Sequence, residues 1–165
     1  MIFRLLQRLL NRIAYFIPGG YNVRPRIQHI RGAHIGKNVW ISRYVYFDEL
    51  HPSAITIGDN SSIGLRTSIF THFYWGPVRA DKYAGKVHIE ENVFIGPHCV
   101  ILPGVHIGKG SVIQAGTVVS RNVPAQTVWG APKSGPVALA TTPLTTDFTY
   151  EEFIKGLRPI RKKRG

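Results

Sequence analysis

The stretch IGPHCVILPGVHIGKGSVIQAG, residues 95–116, decides the fold, because Ile95, Ile101, Ile107 and Ile113 stand six residues apart. A helix turns about 100° per residue, so a step of six would scatter these side chains around its axis. One long strand would hold them on a single face, but glycine and proline interrupt the run too often for that. Short strands joined by tight turns satisfy the spacing. Each hexapeptide forms one flat side, three sides close a coil of 18 residues, and the isoleucines stack coil on coil inside a prism.

The pattern extends back to Ile89 and forward to Val119, and earlier blocks share it: Ile35, Ile41 and Phe47, then Ile57, Ile63 and Ile69. Ten of these twelve positions are isoleucine, so the period belongs to most of the chain and not to one local run. Four residues after each comes a small or β-branched side chain, as at Val39, Ser61, Thr67, Cys99 and Thr117. Glycine follows the isoleucine at 36, 58, 64, 96 and 108. The repeat breaks twice, by four extra residues between Phe47 and Ile57 and by a longer interruption between Ile69 and Ile89. Period alone does not set the hand of the coil, and general crossover rules favour the right hand.

The 165 residues suffice for one domain with a real core. A net charge of +12 points to anionic partners: phosphates, lipid headgroups or nucleic acid. Cys99 is the one cysteine, so no disulfide forms within the chain and a reducing compartment fits. No apolar run reaches the length of a membrane span.

The run IEENVFIGPHCVILPGVHIGKGSVIQAGTVVSRNVP resembles the hexapeptide-repeat acyltransferases, especially the galactoside, maltose and xenobiotic O-acetyltransferases. The resemblance covers roughly residues 33 to 133 and implies an all-β fold, a left-handed parallel β-helix. The opening RGAHIGKNVWIS and the later FTYEEFIKGLRPIRKKRG resemble the subgroup found in capsule, O-antigen and exopolysaccharide gene sets. That subgroup moves acetyl groups from acetyl-CoA to sugar hydroxyls. The implied assembly is a homotrimer with a saccharide acceptor, in the cytoplasm or at the inner face of the cytoplasmic membrane.

Acyl transfer from a thioester needs a general base to take the proton of the attacking hydroxyl, and histidine is the usual choice near neutral pH. It also needs donors for the oxyanion. Seven histidines compete. His72 stands in SIFTHFYWGPVRADKYAGK, where the repeat stops, and the family places its catalytic histidine in such a context; a surface histidine capping the loop is the plainer alternative. His88, His98 and His106 read as solvated or groove-lining, and His29 and His34 as structural. His51, in DELHPSA, and Asp48 are candidates for contact with the acceptor. Tyr74 and Trp75 suit stacking on a sugar ring and equally suit packing on a neighbouring subunit. Asp81, Asp48, Glu49 and a backbone carbonyl compete to orient His72. No residue is assigned to a metal.

The family's coenzyme groove runs along the coils between two subunits. Matched position by position, Phe94 and Pro97 correspond to residues at the thioester end, and Ala115 and Gly116 to a small pair beside pantetheine. Ser120 and Arg121 correspond to a pair near the phosphates. The segment WGAPK, which contains Gly130 and Lys133, matches one that closes the coenzyme site. Relatives carry arginines soon after it, whereas SGPVALA follows here, so Lys133 and Arg121 are expected to carry more of the phosphate binding.

The ends lie outside the repeat. MIFRLLQRLLNRIAYFIPGG places Ile2, Leu5, Leu6, Leu9, Leu10 and Ile13 at helical spacing, with Arg4, Arg8, Asn11 and Arg12 mostly opposite. This predicts a basic amphipathic helix over residues 1–20, too short to span a bilayer, that either lies on a membrane through residues 1–17 or caps the open prism. Its arginines interrupt any signal-peptide core. The β-helix domain is expected over 21–133, with 73–86 protruding, followed by an extension over 134–165. In that extension, Thr141 to Tyr150 is expected to be extended, YEEFIKGL a short helix, and RPIRKKRG a basic tail. Other readings remain open. A γ-class carbonic anhydrase shares the prism, but its two metal histidines five residues apart do not follow His72 here. A small-molecule acetyltransferase and a non-catalytic scaffold also fit, whereas charge gathered at the two ends disfavours nucleic acid.

Overall fold

If each hexapeptide is one side of a prism, the chain must consist of very short strands with a turn after each. The computed structural model, which describes residues 2–72, 85–130, 138–141 and 149–159, has this form. The first coil holds β1 (His34–Ile35), β2 (Trp40–Ile41) and β3 (Tyr46–Phe47), and the second β4 (Ile55–Ile57), β5 (Ser62–Ile63) and β6 (Ser68–Ile69). The third holds β7 (Val87–Ile89), β8 (Phe94–Ile95) and β9 (Val100–Ile101), and the fourth β10 (His106–Ile107), β11 (Val112–Ile113) and β12 (Val118–Val119). A last, partial coil contributes β13 (Val128–Trp129). Each full coil adds one strand to each of three parallel sheets, ordered β1-β4-β7-β10, β2-β5-β8-β11-β13 and β3-β6-β9-β12.

The register explains the sequence period. His88 lies beside His106 and Val100 beside Val118, a step of 18 residues. Tyr46 lies beside Ser68, a step of 22, and Ser68 beside Val100, a step of 32, so the two breaks in the repeat lengthen two coils without shifting the strands. Eleven of the twelve inward positions are buried, and Ile35, at the open end, is partly so. The second series is buried as well, and three of its hydroxyls bond to the next coil, whereas the Thr117 hydroxyl is buried without a partner. Ser61 Oγ donates to the Glu90 carbonyl (2.8 Å), Thr67 Oγ1 to that of Gly96 (3.0 Å) and Ser111 Oγ to that of Pro124 (2.7 Å).

Among the described residues, nine corners hold a residue with positive φ three places after the inward isoleucine. Gly104, Gly110 and Gly116 take it readily, but Asn38, Tyr44, Asn60, Arg66, Asn92 and His98 also hold φ between 57° and 60°. Gly64 answers a different demand, close approach. A Cβ there would lie 2.5 Å from the Gly96 carbonyl carbon and from the Pro97 nitrogen.

Two helices close the first end. α1 (Ile2–Phe16) packs on α2 (Val23–Ile30) and on β3, and α2 packs on β1 and β2. The sequence pattern did not announce α2, and the coils begin at His34 instead of residue 21. Asn22 caps it by accepting the Val23 N–H, and Pro25 falls in its first turn, where an absent N–H costs nothing. Arg24 pins α2 to the prism, donating to the Ile41 and Ile17 carbonyls (2.6 Å each). α1 turns Asn11 and Ala14 inward, and it leaves Leu5, Leu6, Leu9, Ile13 and Phe16 exposed. It therefore caps with its small and polar side, the reverse of what a leucine face suggests. At the other end Trp129 occupies an inward position against the core, with the Arg121 guanidinium 5.8 Å above its ring centroid.

Residues from Pro132 onward form a second unit. Within it β14 (Ala138–Ala140) pairs antiparallel with β15 (Leu157–Pro159), and α3 (Tyr150–Lys155) lies between them in sequence. Thr149 and Glu152 cap α3 reciprocally: the Thr149 N–H donates to the Glu152 carboxylate (2.7 Å) and the Glu152 N–H to Thr149 Oγ1 (3.3 Å). The segment expected to be extended falls mostly on 142–148, outside the described residues.

Gly64→Ala should destabilise the protein by about 1–3 kcal/mol, because the new methyl meets backbone that cannot yield. Gly104→Ala, with nothing within 4 Å of its Cβ, should cost only about 1 kcal/mol of left-handed strain. Urea denaturation of the two variants side by side checks the contrast.

Candidate active site

Both breaks in the repeat occur at the same edge of the prism. Phe47 and Ile69 are neighbours in register, and the chain leaves the coil immediately after each. This stacks Asp48 to His51 against Thr71 and His72, one coil apart. The Asp48 N–H still donates to the Ile69 carbonyl (3.0 Å), so the two departures begin from a shared ladder.

Asp48 is fully buried and organises this edge. Its Oδ1 accepts the Leu50 N–H (2.8 Å) and the His51 N–H (3.4 Å), and its Oδ2 accepts the Thr71 N–H (2.8 Å). The same Oδ2 lies 2.5 Å from His72 Nδ1. The Thr71 hydroxyl donates to the His51 carbonyl (3.3 Å), tying the two segments a second time. Burial pushes the Asp48 carboxyl up, but the Thr71 and Leu50 amides together with His72 outweigh it and hold the group below its ordinary value. Asp48 is thus a carboxylate, and a carboxylate at 2.5 Å requires the proton on His72 Nδ1. In the neutral form of the ring the lone pair then sits on Nε2. The His72 side chain is 13% exposed, so the ring is reachable yet largely enclosed.

A second layer fixes Asp48 in turn. Arg31, just after α2 and 3% exposed, donates through Nη2 to the Asp48 carbonyl (3.0 Å). Through Nη1 it donates to Asn11 Oδ1 of α1 (2.8 Å) and Gln28 Oε1 of α2 (2.6 Å). Burial lowers the guanidinium from its ordinary value, while Glu49, Tyr46 and Asp48 pull it back up. Arg31, Asn11 and Gln28 carry no signal in the hexapeptide pattern, since they belong to the end cap.

The other candidates divide over the prism. Ser120 and Arg121 follow β12 and are exposed on the same edge as His72, two coils further along. Phe94, on β8, is half exposed; Pro97, Ala115 and Gly116 line the corner after β8 and β11, a different edge. One chain therefore does not bring the proposed coenzyme residues together. Gly130 is exposed beyond β13, and Lys133 lies outside the described residues, as do Tyr74, Trp75 and Asp81. His51 enters through its backbone. Asp48, a candidate both for acceptor contact and for orienting His72, sits beneath His72 with both oxygens engaged.

Among the described residues one group has ligand atoms close enough to share a metal: His88, Glu90 and His106, all within 4.8 Å of one another. Glu90 is already engaged by the Lys109 N–H (2.6 Å) and His106 Nε2 (2.8 Å), and the cluster lies on the face formed by β7 and β10. Its histidines are 18 residues apart on successive coils, which is the coil period and not a five-residue metal spacing.

This architecture has relatives. Residues 86–121 match the family described as bacterial transferase hexapeptide (six repeats). The Bacillus subtilis protein YvoF is 40% identical over 90 residues, covering 54% of this chain and 51% of its own length. The galactoside O-acetyltransferase of Lactococcus lactis is 36% identical over 108 residues, covering 59% of this chain and 51% of its own. The chain thus spans about half the length of both relatives. Among solved structures, a hexapeptide-repeat acetyltransferase of Vibrio cholerae in complex with acetyl-CoA superposes with a TM-score of 0.63 at 25% identity, covering 79% of this chain and 82% of that one. A galactoside acetyltransferase in complex with coenzyme A gives 0.51 at 28% identity, covering 74% and 72%. The fold is a left-handed parallel β-helix. Over residues 86–121 the chain is similar to the hexapeptide-repeat transferases.

Asp48→Asn should lower stability at neutral pH, because a carboxylate favoured by the fold is lost. A carboxyl whose value is depressed on folding contributes stability above its ordinary value and loses it as pH falls through the folded value. The gap in Tm between wild type and Asp48→Asn should therefore narrow as the pH drops below about 4, which thermal scans across an acid series would show.

Proposed function

We propose that this protein transfers an acetyl group from acetyl-CoA to a hydroxyl of a saccharide, with His72 as general base, and that the saccharide is a surface polysaccharide or its lipid-linked precursor. The observation that carries the reading is the buried Asp48 carboxylate on His72 Nδ1 at the edge where the repeat breaks. Solved relatives holding acetyl-CoA and coenzyme A, and a galactoside-acetylating relative, support the chemistry.

In the reaction the acceptor hydroxyl attacks the thioester carbonyl while Nε2 of His72 takes its proton. The tetrahedral intermediate collapses, the C–S bond breaks, and the coenzyme leaves as a thiolate that takes the proton back from His72. The products are an acetyl ester and free coenzyme A thiol. Asp48 contributes by holding the ring and by stabilising the imidazolium that forms in passing. Because Asp48 is already ionised and locked by amide donors, no reorganisation is needed at that moment.

The coenzyme residues support a shared site. Successive coils rise by about 4.8 Å, so Ser120 and Arg121 stand about 10 Å along the edge from His72, in reach of one extended pantetheine. Phe94, Pro97, Ala115 and Gly116 would meet that same ligand from a neighbouring copy. Threefold symmetry would give three equivalent grooves. Arg121 and Lys133 are the proposed phosphate contacts.

His72→Ala should retain coenzyme A binding by calorimetry and lose about 10²- to 10⁴-fold in thiol release with a saccharide acceptor. Near-normal turnover by the folded variant would remove His72 from the mechanism. Light scattering should give a trimer, and an active monomer at assay concentration would sink the shared groove.

A further inference from the structure

The helix that closes the prism is mounted the wrong way round for a cap. Capping helices ordinarily bury their apolar stripe. α1 buries Asn11 and Ala14 and exposes Leu5, Leu6, Leu9, Ile13 and Phe16, each between 39% and 65% accessible. At 100° per residue these five side chains fall within about 100° of arc, which makes one continuous apolar face and not a scatter. The inward side is held by a specific bond, Asn11 Oδ1 to Arg31, so the orientation is built into the buried network.

Beside that face runs a basic ridge. Arg8 and Arg12 are exposed, and Arg4 precedes them at the same four-residue step. The contact of Arg8 with Glu49 is long, 3.9 Å, between two exposed side chains, and leaves Arg8 available to other anions. An exposed leucine face flanked by arginines, on a chain with net charge +12, is complementary to an anionic bilayer. Lipid tails take the apolar arc and headgroup phosphates take the ridge. A second copy fits worse, because pairing two such faces brings two arginine ridges together. No described helix is long and apolar enough to cross a membrane, so the contact lies in the surface plane.

We propose that the exposed Leu5–Leu9–Ile13–Phe16 face of α1, with Arg8 and Arg12 beside it, docks this protein on the surface of an anionic lipid bilayer. The proposal does not rest on acetyl transfer. It adds that the prism stands on the membrane by the same end that fixes Asp48.

Flotation of the full-length protein with vesicles tests it. With equal parts phosphatidylcholine and phosphatidylglycerol at low salt the protein should float, and with phosphatidylcholine alone it should not. Leu9→Glu with Ile13→Glu should reduce the vesicle-bound fraction at least about tenfold. Arg8→Gln with Arg12→Gln should weaken binding about fivefold per charge and flatten its salt dependence. Circular dichroism and light scattering without vesicles accompany each variant. The proposal is overturned if the wild type ignores anionic vesicles at low salt, or if the glutamate pair floats unchanged. It is equally overturned if that pair keeps its secondary structure but dissociates the oligomer, because the face then belongs to a neighbouring subunit.

Discussion

Coil stacks on coil through one repeated contact: parallel strands about 4.8 Å apart, with inward isoleucines in file and a left-handed residue at nine of the corners. At Gly64 the spacing leaves no room for a Cβ. At Ser61, Thr67 and Ser111 it brings a hydroxyl within reach of a carbonyl one coil above. The ladder tolerates extra residues only at edges, where they can leave and return without shifting register. The candidate site follows from that rule. The first two coils both leave after the third sheet, after Phe47 and after Ile69, and stacked departures put Asp48 against His72.

A repeat protein writes its core in the sequence because each coil imposes the same demand on the same position. The isoleucine files, the small second series and the positions of both breaks could be read at six-residue spacing. What could not be read lies where that demand lapses. α2 occupies a stretch with no hexapeptide signal, where Arg24, Pro25 and Gln28 give little amphipathic contrast. The leucines of α1 suggest a buried face, but Asn11 and Ala14 decide the packing, since the prism end offers Arg31 as a partner.

The same boundary divides the site. His72 could be singled out because it stands where the repeat stops. Asp48 was one of several acidic candidates, since sequence distance says nothing about stacking until the register is known: Asp48 and His72 are 24 residues apart and meet only because Phe47 pairs with Ile69. Once they meet, burial and amide donors settle which carboxylate orients the ring. Arg31 then joins the backbone of Asp48 to both helices, so the candidate site's edge and the fold's end share a buried guanidinium.

The second break also has a root. The Gly85 N–H donates to the Thr71 carbonyl (2.6 Å), closing the excursion one residue before His72 and immediately where the chain re-enters the coil. The cost of loop closure grows slowly with length in general: each doubling costs only about 0.6 kcal/mol. The coils are in this sense a fixed frame, and chain length can change at a break without shifting their register.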